Sequence, residues 1–201
     1  MAWEILTAPS VRVELFGDPT SRRLYESFTA RHPRLRVVTR KRWGVAMLPL
    51  PDSVEEYLSG RSRELVRKRR RALSRGFSYR PFDASQHVAD VLEVNRSAPT
   101  RQGQPMLHKY LDESSVRRFC NAAETMFGVF DAAGRVRAYA YAPVVGESGV
   151  FVRSIGHADD LESGTMHLLV SEVIATYITE KRERGTPRWA MYDTFWGGQE
   201  G

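Results

Sequence analysis

The sequence predicts a mixed α+β fold, with a mostly antiparallel central sheet flanked by helices and a small α/β unit in front of it. Two observations lead there. Short runs of alternating apolar and polar residues recur between Gly- and Pro-marked turns, three of them in close succession. One long stretch near the end, TMHLLVSEVIATYITEKRERG, instead places Met166, Leu169, Val170, Val173 and Tyr177 at helical spacing. The 201 residues, 42% of them apolar, suffice for one sizeable core or for a core with a small appended subdomain.

Residues 1–50 read as the small N-terminal unit. VRVELFG is a strand, PTSRRLYESFTARH an amphipathic helix, and LRVVT and RWGVAMLPLP further strands. Asp18 and Pro19 open the helix as cap and first helical residue, and His32-Pro33 closes it. Residues 51–201 form the main domain. Ser53 followed by Glu56 is a capping-box pattern that starts the short helix VEEYLSG. The cationic helix RSRELVRKRRRALSRG comes next and ends at Gly76. FSYRPF is a strand and SQHVADVLEVNRSA a helix. The loop TRQGQPM, with a turn set by Gly103 and Pro105, leads to the helical DESSVRRFCNAAE. Three strands in a meander then follow: MFGVFD, RVRAYAYAPV and GVFVRSIG. The long helix ends at Gly185 and is followed by the strand RWAMYD. A strand, long helix, strand order of this kind is a parallel crossover, which places a ligand site at the carboxyl ends of the strands and the start of the helix, around Glu162 to His167.

Charge and composition narrow the function classes. The net charge of +6 favours an anionic partner such as a nucleotide cofactor, tRNA or a phosphorylated substrate. The N-terminus lacks the basic start and apolar stretch of a signal peptide, and no run approaches the roughly 18 apolar residues of a membrane span. A cytoplasmic protein without membrane association is therefore expected. The single cysteine, Cys120, excludes an internal disulfide and a multi-cysteine zinc site, and it reads as packing beside Phe119. The five histidines form no metal motif, since His157 and His167 lack the close ligand spacing of a zinc site.

Three segments, SVEEYLSGRSRELVRKRRRALSRG, NRSAPTRQGQPM and MYDTFWGGQEG, together with the element order, resemble the GNAT-like acyltransferases. The resemblance covers roughly residues 43–201. It is greatest to the Fem-related branch, which includes aminoacyl-tRNA-dependent transferases. It implies a GNAT-like domain that transfers an acyl group to an amine on a small molecule or peptide. No tightly bound cofactor is implied; acyl-CoA or aminoacyl-tRNA serves as donor co-substrate, and a homodimer is compatible with the same reading. Acyl-CoA-dependent members carry an Arg or Gln and two small residues at the start of the long helix, where this chain has Leu161-Glu162-Ser163-Gly164-Thr165-Met166. Fem-type members share that departure. Relatives also continue into a further helix and strands, so residues 51–201 are expected to form the domain without that portion.

Direct acyl transfer to an amine needs positioned reactants, donors for a developing oxyanion and a route for the proton, but no enzyme nucleophile. Asp193 is the candidate base or amine-orienting group because it ends the strand RWAMYD at the crossover; the same residue also suits a turn or helix cap. Tyr192 is a further catalytic candidate, and Trp196 lines the acceptor pocket with it. Asn95, Arg101, Gln102 and Lys109, around the TRQGQPM loop, are the candidates for substrate recognition, with a solvated loop as the alternative. Gly156, Ser163, Gly164, Thr165 and His167 are the candidates for holding the donor. Arg67, Lys68, Arg69 and Arg71 would track a nucleic-acid backbone, although a solvated face paired with Glu55, Glu56 and Glu64 explains them better. The reading from a different class is a non-catalytic RNA- or partner-binding module on a degenerate transferase fold.

Overall fold

Capping chemistry delimits the first helices as the sequence predicts. In the computed structural model, which describes residues 46–101, 103–123 and 126–192 together with Glu14, Pro19, Arg22, Tyr25, Glu26, Ala30 and Arg31, α1 spans Val54–Ser59. Ser53 Oγ accepts the Glu56 N–H at 3.0 Å, and the Glu56 carboxylate reaches back to the Asp52 N–H at 3.3 Å. α2 (Arg63–Ser74) starts on the Ser62 hydroxyl. It stops where Gly76 adopts φ +84°, which lets the Gly76 and Phe77 N–H groups return to the Leu73 and Ala72 carbonyls. Of the N-terminal unit, the strand LRVVT lies outside the described residues, as does VRVELFG apart from Glu14, whose carbonyl accepts the Glu147 N–H at 2.9 Å. Pro19, Arg22, Tyr25 and Glu26 are helical, with Arg22 paired to Glu26 one turn on. The third expected strand is β1 (Ala46–Pro49), which pairs antiparallel with the last strand, Trp189–Tyr192.

The meander is present. β2 (Ser78–Phe82), β5 (Met126–Phe130), β6 (Val136–Tyr141) and β9 (Arg153–Gly156) pair antiparallel in that order. A register step between β5 and β6 pairs Val129 with Ala138 and Phe130 with Val136, leaving Arg137 as a bulge. A second four-stranded set has the order β1, β10, β8, β7, where β7 is Val144–Val145, β8 is Ser148–Phe151 and β10 is Trp189–Tyr192. Within it β8 and β10 are parallel, as the crossover requires. GVFVRSIG, expected as one strand, is therefore two, interrupted at Val152. The TRQGQPM loop is a small hairpin of β3 (Thr100–Arg101) and β4 (Gln104–Pro105), with Gly103 at φ +78° in its turn; Pro105 pairs with Thr100 and is not in the turn.

Two apolar clusters sandwich the sheet. On one face α1, α2 and α6 (Thr165–Arg184) pack Leu168, Leu169, Val173 and Tyr177 against Phe127, Val129, Ala138 and Ala140. On the other, α3 (Val88–Arg96) and α5 (Glu113–Ala122) pack Val91, Val94, Val116 and Cys120 against Met126, Phe130 and Tyr139. The short α4 (His108–Leu111) precedes α5. The alternation of small and large residues along β5 and β6 is thus a division between two helical layers.

Gly149 shows how tightly α6 sits. A Cβ there would lie 2.3 Å from the Tyr177 ring, whose hydroxyl is itself fixed by donation to the Ala142 carbonyl at 2.6 Å. Gly149→Ala should therefore cost about 1–3 kcal/mol through overpacking, read from urea denaturation.

Candidate functional site

The interruption at Val152 lies in the wall of a cavity. Residues 148–151 spend one edge on β10, whereas Arg153–Gly156 pairs with β6 and is the last strand of its sheet among the described residues. Phe151 faces the α6 layer, but Arg153, two residues on, faces α5 and stacks on Phe119. The chain thus turns over at Val152. The His157 N–H bonds the Arg137 carbonyl at 2.7 Å, so by antiparallel alternation the N–H groups of Ser154 and Gly156 point away from β6. Both residues line a cavity of about 550 Å³.

One wall of that cavity is the stretch from Phe151 to Gly156. Leu161 and Met166 close it at the start of α6, Tyr192 at the end of β10, and the β3–β4 hairpin and Tyr110 across the top. Met166 lies against Gly156, where a Cβ would come within 2.8 Å of its sulfur. The walls mix apolar and polar groups, with Arg101 and Arg153 as the charged side chains among the described lining residues. Other hollows are poorer sites. One of about 650 Å³ is bounded by the outer face of α5 alone; one of about 390 Å³ lies between α1 and α2 beside Arg61, Arg63, Arg67 and Arg70.

The expected residues divide between this cavity and the scaffold. Tyr192, half exposed, and Gly156 and Arg101 line it. Asp193, Gln102 and Trp196 lie outside the described residues, Asp193 being the residue that follows Tyr192 in the chain. Asn95 is fully buried beneath the cavity: its Nδ2 donates to the Tyr110 carbonyl at 2.9 Å and its Oδ1 accepts from the Tyr139 hydroxyl at 2.7 Å. It orients Tyr110 and does not line the cavity. Burial pushes the Tyr139 pKa up to about 12, with nearby Arg153 opposing. Lys109 is exposed and rests over the Tyr110 ring.

At the α6 start the donor candidates separate. Gly164, at φ +88°, is pressed against the backbone of α2, so that a Cβ would stand 2.3 Å from the Lys68 carbonyl oxygen. Ser163 accepts from Arg75 at 2.5 Å, and Thr165 is buried and donates to the Asp160 carbonyl. α2 therefore covers this corner of the helix start. His167 faces α2 near Lys68 and Glu64, with its Nδ1 buried and lacking a hydrogen-bond partner among the described residues. Burial first, and Lys68 second, lower its pKa, against the opposing effect of Glu64.

The cationic helix is likewise divided. Lys68 pairs with Glu64 within α2 at 3.1 Å, and Arg69 is held by Glu172 of α6, so the second of these pairs fixes α2 against α6. Arg71 is half-buried, while Arg63, Arg67 and Arg70 form the exposed stripe. Glu55 and Glu56 lie on α1, the latter engaged in its cap. Cys120 is buried and its thiol is pushed up to about 11 by burial, which suits packing and not nucleophilic attack. The important residue missed by sequence reasoning is Arg153. Its only signal was a charged side chain inside an apolar strand pattern.

The architecture is that of a GNAT- or Fem-like mixed α+β fold, with a cavity at the edge of the crossover. Among solved structures FemX is similar, at a TM-score of 0.56 and 10% sequence identity, over 73% of this chain and 52% of FemX. The chain thus spans about half the length of FemX, and at that identity the likeness concerns the fold alone. No protein-family profile matches the chain, and no curated protein matches its sequence. Among the described residues no helix is long and apolar enough to cross a membrane.

Two outcomes check this description. Asn95→Ala should destabilise the fold by about 1–3 kcal/mol, because it leaves the Tyr110 carbonyl and the Tyr139 hydroxyl without partners; urea denaturation measures it. His167 binds its proton less readily folded than unfolded, so its contribution to stability is complete above the ordinary value of 6.5 and is lost as pH falls below it. Wild type should lose stability relative to His167→Gln between pH 7.5 and 5.5 in parallel melts, whereas identical pH dependence would remove His167 as the cause.

Proposed function

We propose that the chain is an N-acyltransferase or aminoacyltransferase, carrying an acyl group from acyl-CoA or aminoacyl-tRNA to an amine on a small molecule or peptide. The observation that carries this reading is the outer edge of β9, the last strand of its sheet among the described residues, whose Ser154 and Gly156 line a cavity shared with Tyr192 at the end of the parallel strand β10. Backbone N–H groups aimed at a carbonyl are preorganised donors for a developing oxyanion. The amine nitrogen attacks the acyl carbon, the C–N bond forms, and collapse of the tetrahedral intermediate breaks the thioester or ester bond. The amine proton leaves, and the thiolate or alkoxide leaving group is protonated.

Asp193 takes the amine proton or orients the amine in this reading, since it follows Tyr192 directly. Tyr192 and Trp196 border the acceptor, as do Arg101 and Gln102 of the β3–β4 hairpin. The carbonyl end of the donor lies along Gly156, with Ser163, Gly164, Thr165 and His167 shaping the helix start beneath it. If the donor is a charged tRNA, the exposed Arg67 and its neighbours on α2 contact its phosphates. A cytoplasmic location accords with such donors.

The test has two arms. Saturating coenzyme A, at about a hundred times its dissociation constant, should stabilise a CoA-dependent enzyme by roughly 2.7 kcal/mol in a thermal melt. An absent shift directs the search to aminoacyl-tRNA donors. With the donor identified, Asp193→Asn should lower turnover at least 100-fold if Asp193 is the base. Unchanged turnover in folded protein would remove Asp193 from the mechanism. Failure of any acyl or aminoacyl donor to react with amine panels would instead favour a binding module.

A further inference from the structure

We propose that the substrate held in this cavity carries an oxyanion, a carboxylate or a phosphate, bound between Arg101 and Arg153. The inference deepens the reading of the cavity as a substrate site and rests on it, without depending on which acyl donor is used. Arg101 commits one terminal nitrogen to the scaffold, donating from Nη2 to the Val94 carbonyl at 2.9 Å and to Ser97 Oγ at 3.3 Å. Its Nε is buried and has no hydrogen-bond partner among the described residues. Arg153 is held between aromatic faces, its guanidinium carbon 3.7 Å from the Phe119 ring centre and 4.3 Å from that of Tyr110. Ring faces attract and orient a guanidinium, but they do not neutralise it.

The contrast with the rest of the molecule decides the matter. Several partly buried cations of the scaffold are met by a carboxylate, Glu172 for Arg69, Asp160 and Glu93 for Arg137 and Asp52 for Lys181, whereas Arg61 donates to the Tyr57 carbonyl. The cavity holds two arginines, and among its described lining residues there is no Asp or Glu. A buried donor left without an acceptor costs free energy that is recovered when an acceptor arrives. A planar guanidinium fork matches the paired oxygens of a carboxylate or phosphate. Both arginines line the same cavity, Arg101 from the β3–β4 hairpin and Arg153 from β9. The alternative anion seat, the start of α6, is covered at Gly164 by the backbone of α2. An anionic group entering the cavity therefore finds its charge partner in these two side chains.

The test follows the arginine Nε–H NMR signals of the full chain during titration with inorganic phosphate and, separately, with succinate, both at fixed ionic strength. Arg153→Gln and Arg101→Lys assign the two signals, and unchanged amide spectra show that each variant is folded. The expected result is a saturable shift of both signals with at least one anion, with affinity at least tenfold weaker in Arg153→Gln. Arg101→Lys, which keeps the charge and loses the fork, should also weaken it. Saturation with phosphate alone assigns a phosphate-bearing substrate, and with succinate alone a carboxylate. A non-saturating drift with both anions, equal to that of the exposed Arg63, Arg67 and Arg70, would overturn the proposal, as would unaltered affinity in Arg153→Gln. Acyl transfer that proceeds without anion binding removes this inference and leaves the transferase reading intact. Saturable anion binding in a chain that transfers from no donor does the reverse.

Discussion

Everything near the cavity depends on one strand interruption. Val152 separates a segment that hydrogen-bonds to β10 from one that hydrogen-bonds to β6, so the chain from Ser148 to Gly156 serves two sheets in succession. Were it continuous along β10, the outer edge of β9 would be paired and would not border the cavity. The interruption also turns the strand over, sending Phe151 into the α6 core and Arg153 toward Phe119 and Tyr110. One local change in backbone direction creates both the open edge and the charge beside it.

Helix α2 supplies the second constraint. Its arginine-rich sequence reads as a surface for polyanions, yet the helix divides its charges by face. Lys68 and Arg69 are engaged with Glu64 and Glu172, and the backbone at Lys68 fills the space in front of Gly164. The stripe of Arg63, Arg67 and Arg70 faces solvent. Packing α2 across α6 makes the helix start a structural corner. It leaves the neighbouring strand edge at Ser154 and Gly156 as the part of the crossover that borders the cavity.

Much of the fold was legible in the sequence because its signals are local. The capping pair Ser53 and Glu56, the stop at Gly76, the helical spacing from Met166 to Tyr177 and the strand alternation each depend on a few neighbouring residues. The site was less legible. Asn95 and Arg101 are polar residues close together in one stretch, but Asn95 turns inward to fix Tyr110 and Tyr139, whereas Arg101 lines the cavity. Nothing in their spacing separates the two, because the difference arises from contacts with β6 and α4. The expected single strand GVFVRSIG failed for a similar reason: its alternation continues across Val152, and only competition between β10 and β6 for its edges divides it.

The sequence by itself determined most of the elements, their order and the parallel crossover, though not the division of GVFVRSIG or the hairpin in TRQGQPM, since propensity, capping and periodicity act over short stretches of chain. The tertiary structure alone decided that β1 joins the sheet of β10, β8 and β7, that α2 covers the start of α6, and that Arg101 and Arg153 line one cavity with no carboxylate among its described lining residues. Those facts depend on which surfaces touch. A guanidinium more than fifty residues from another carries no record in the chain of whether folding will bring them together.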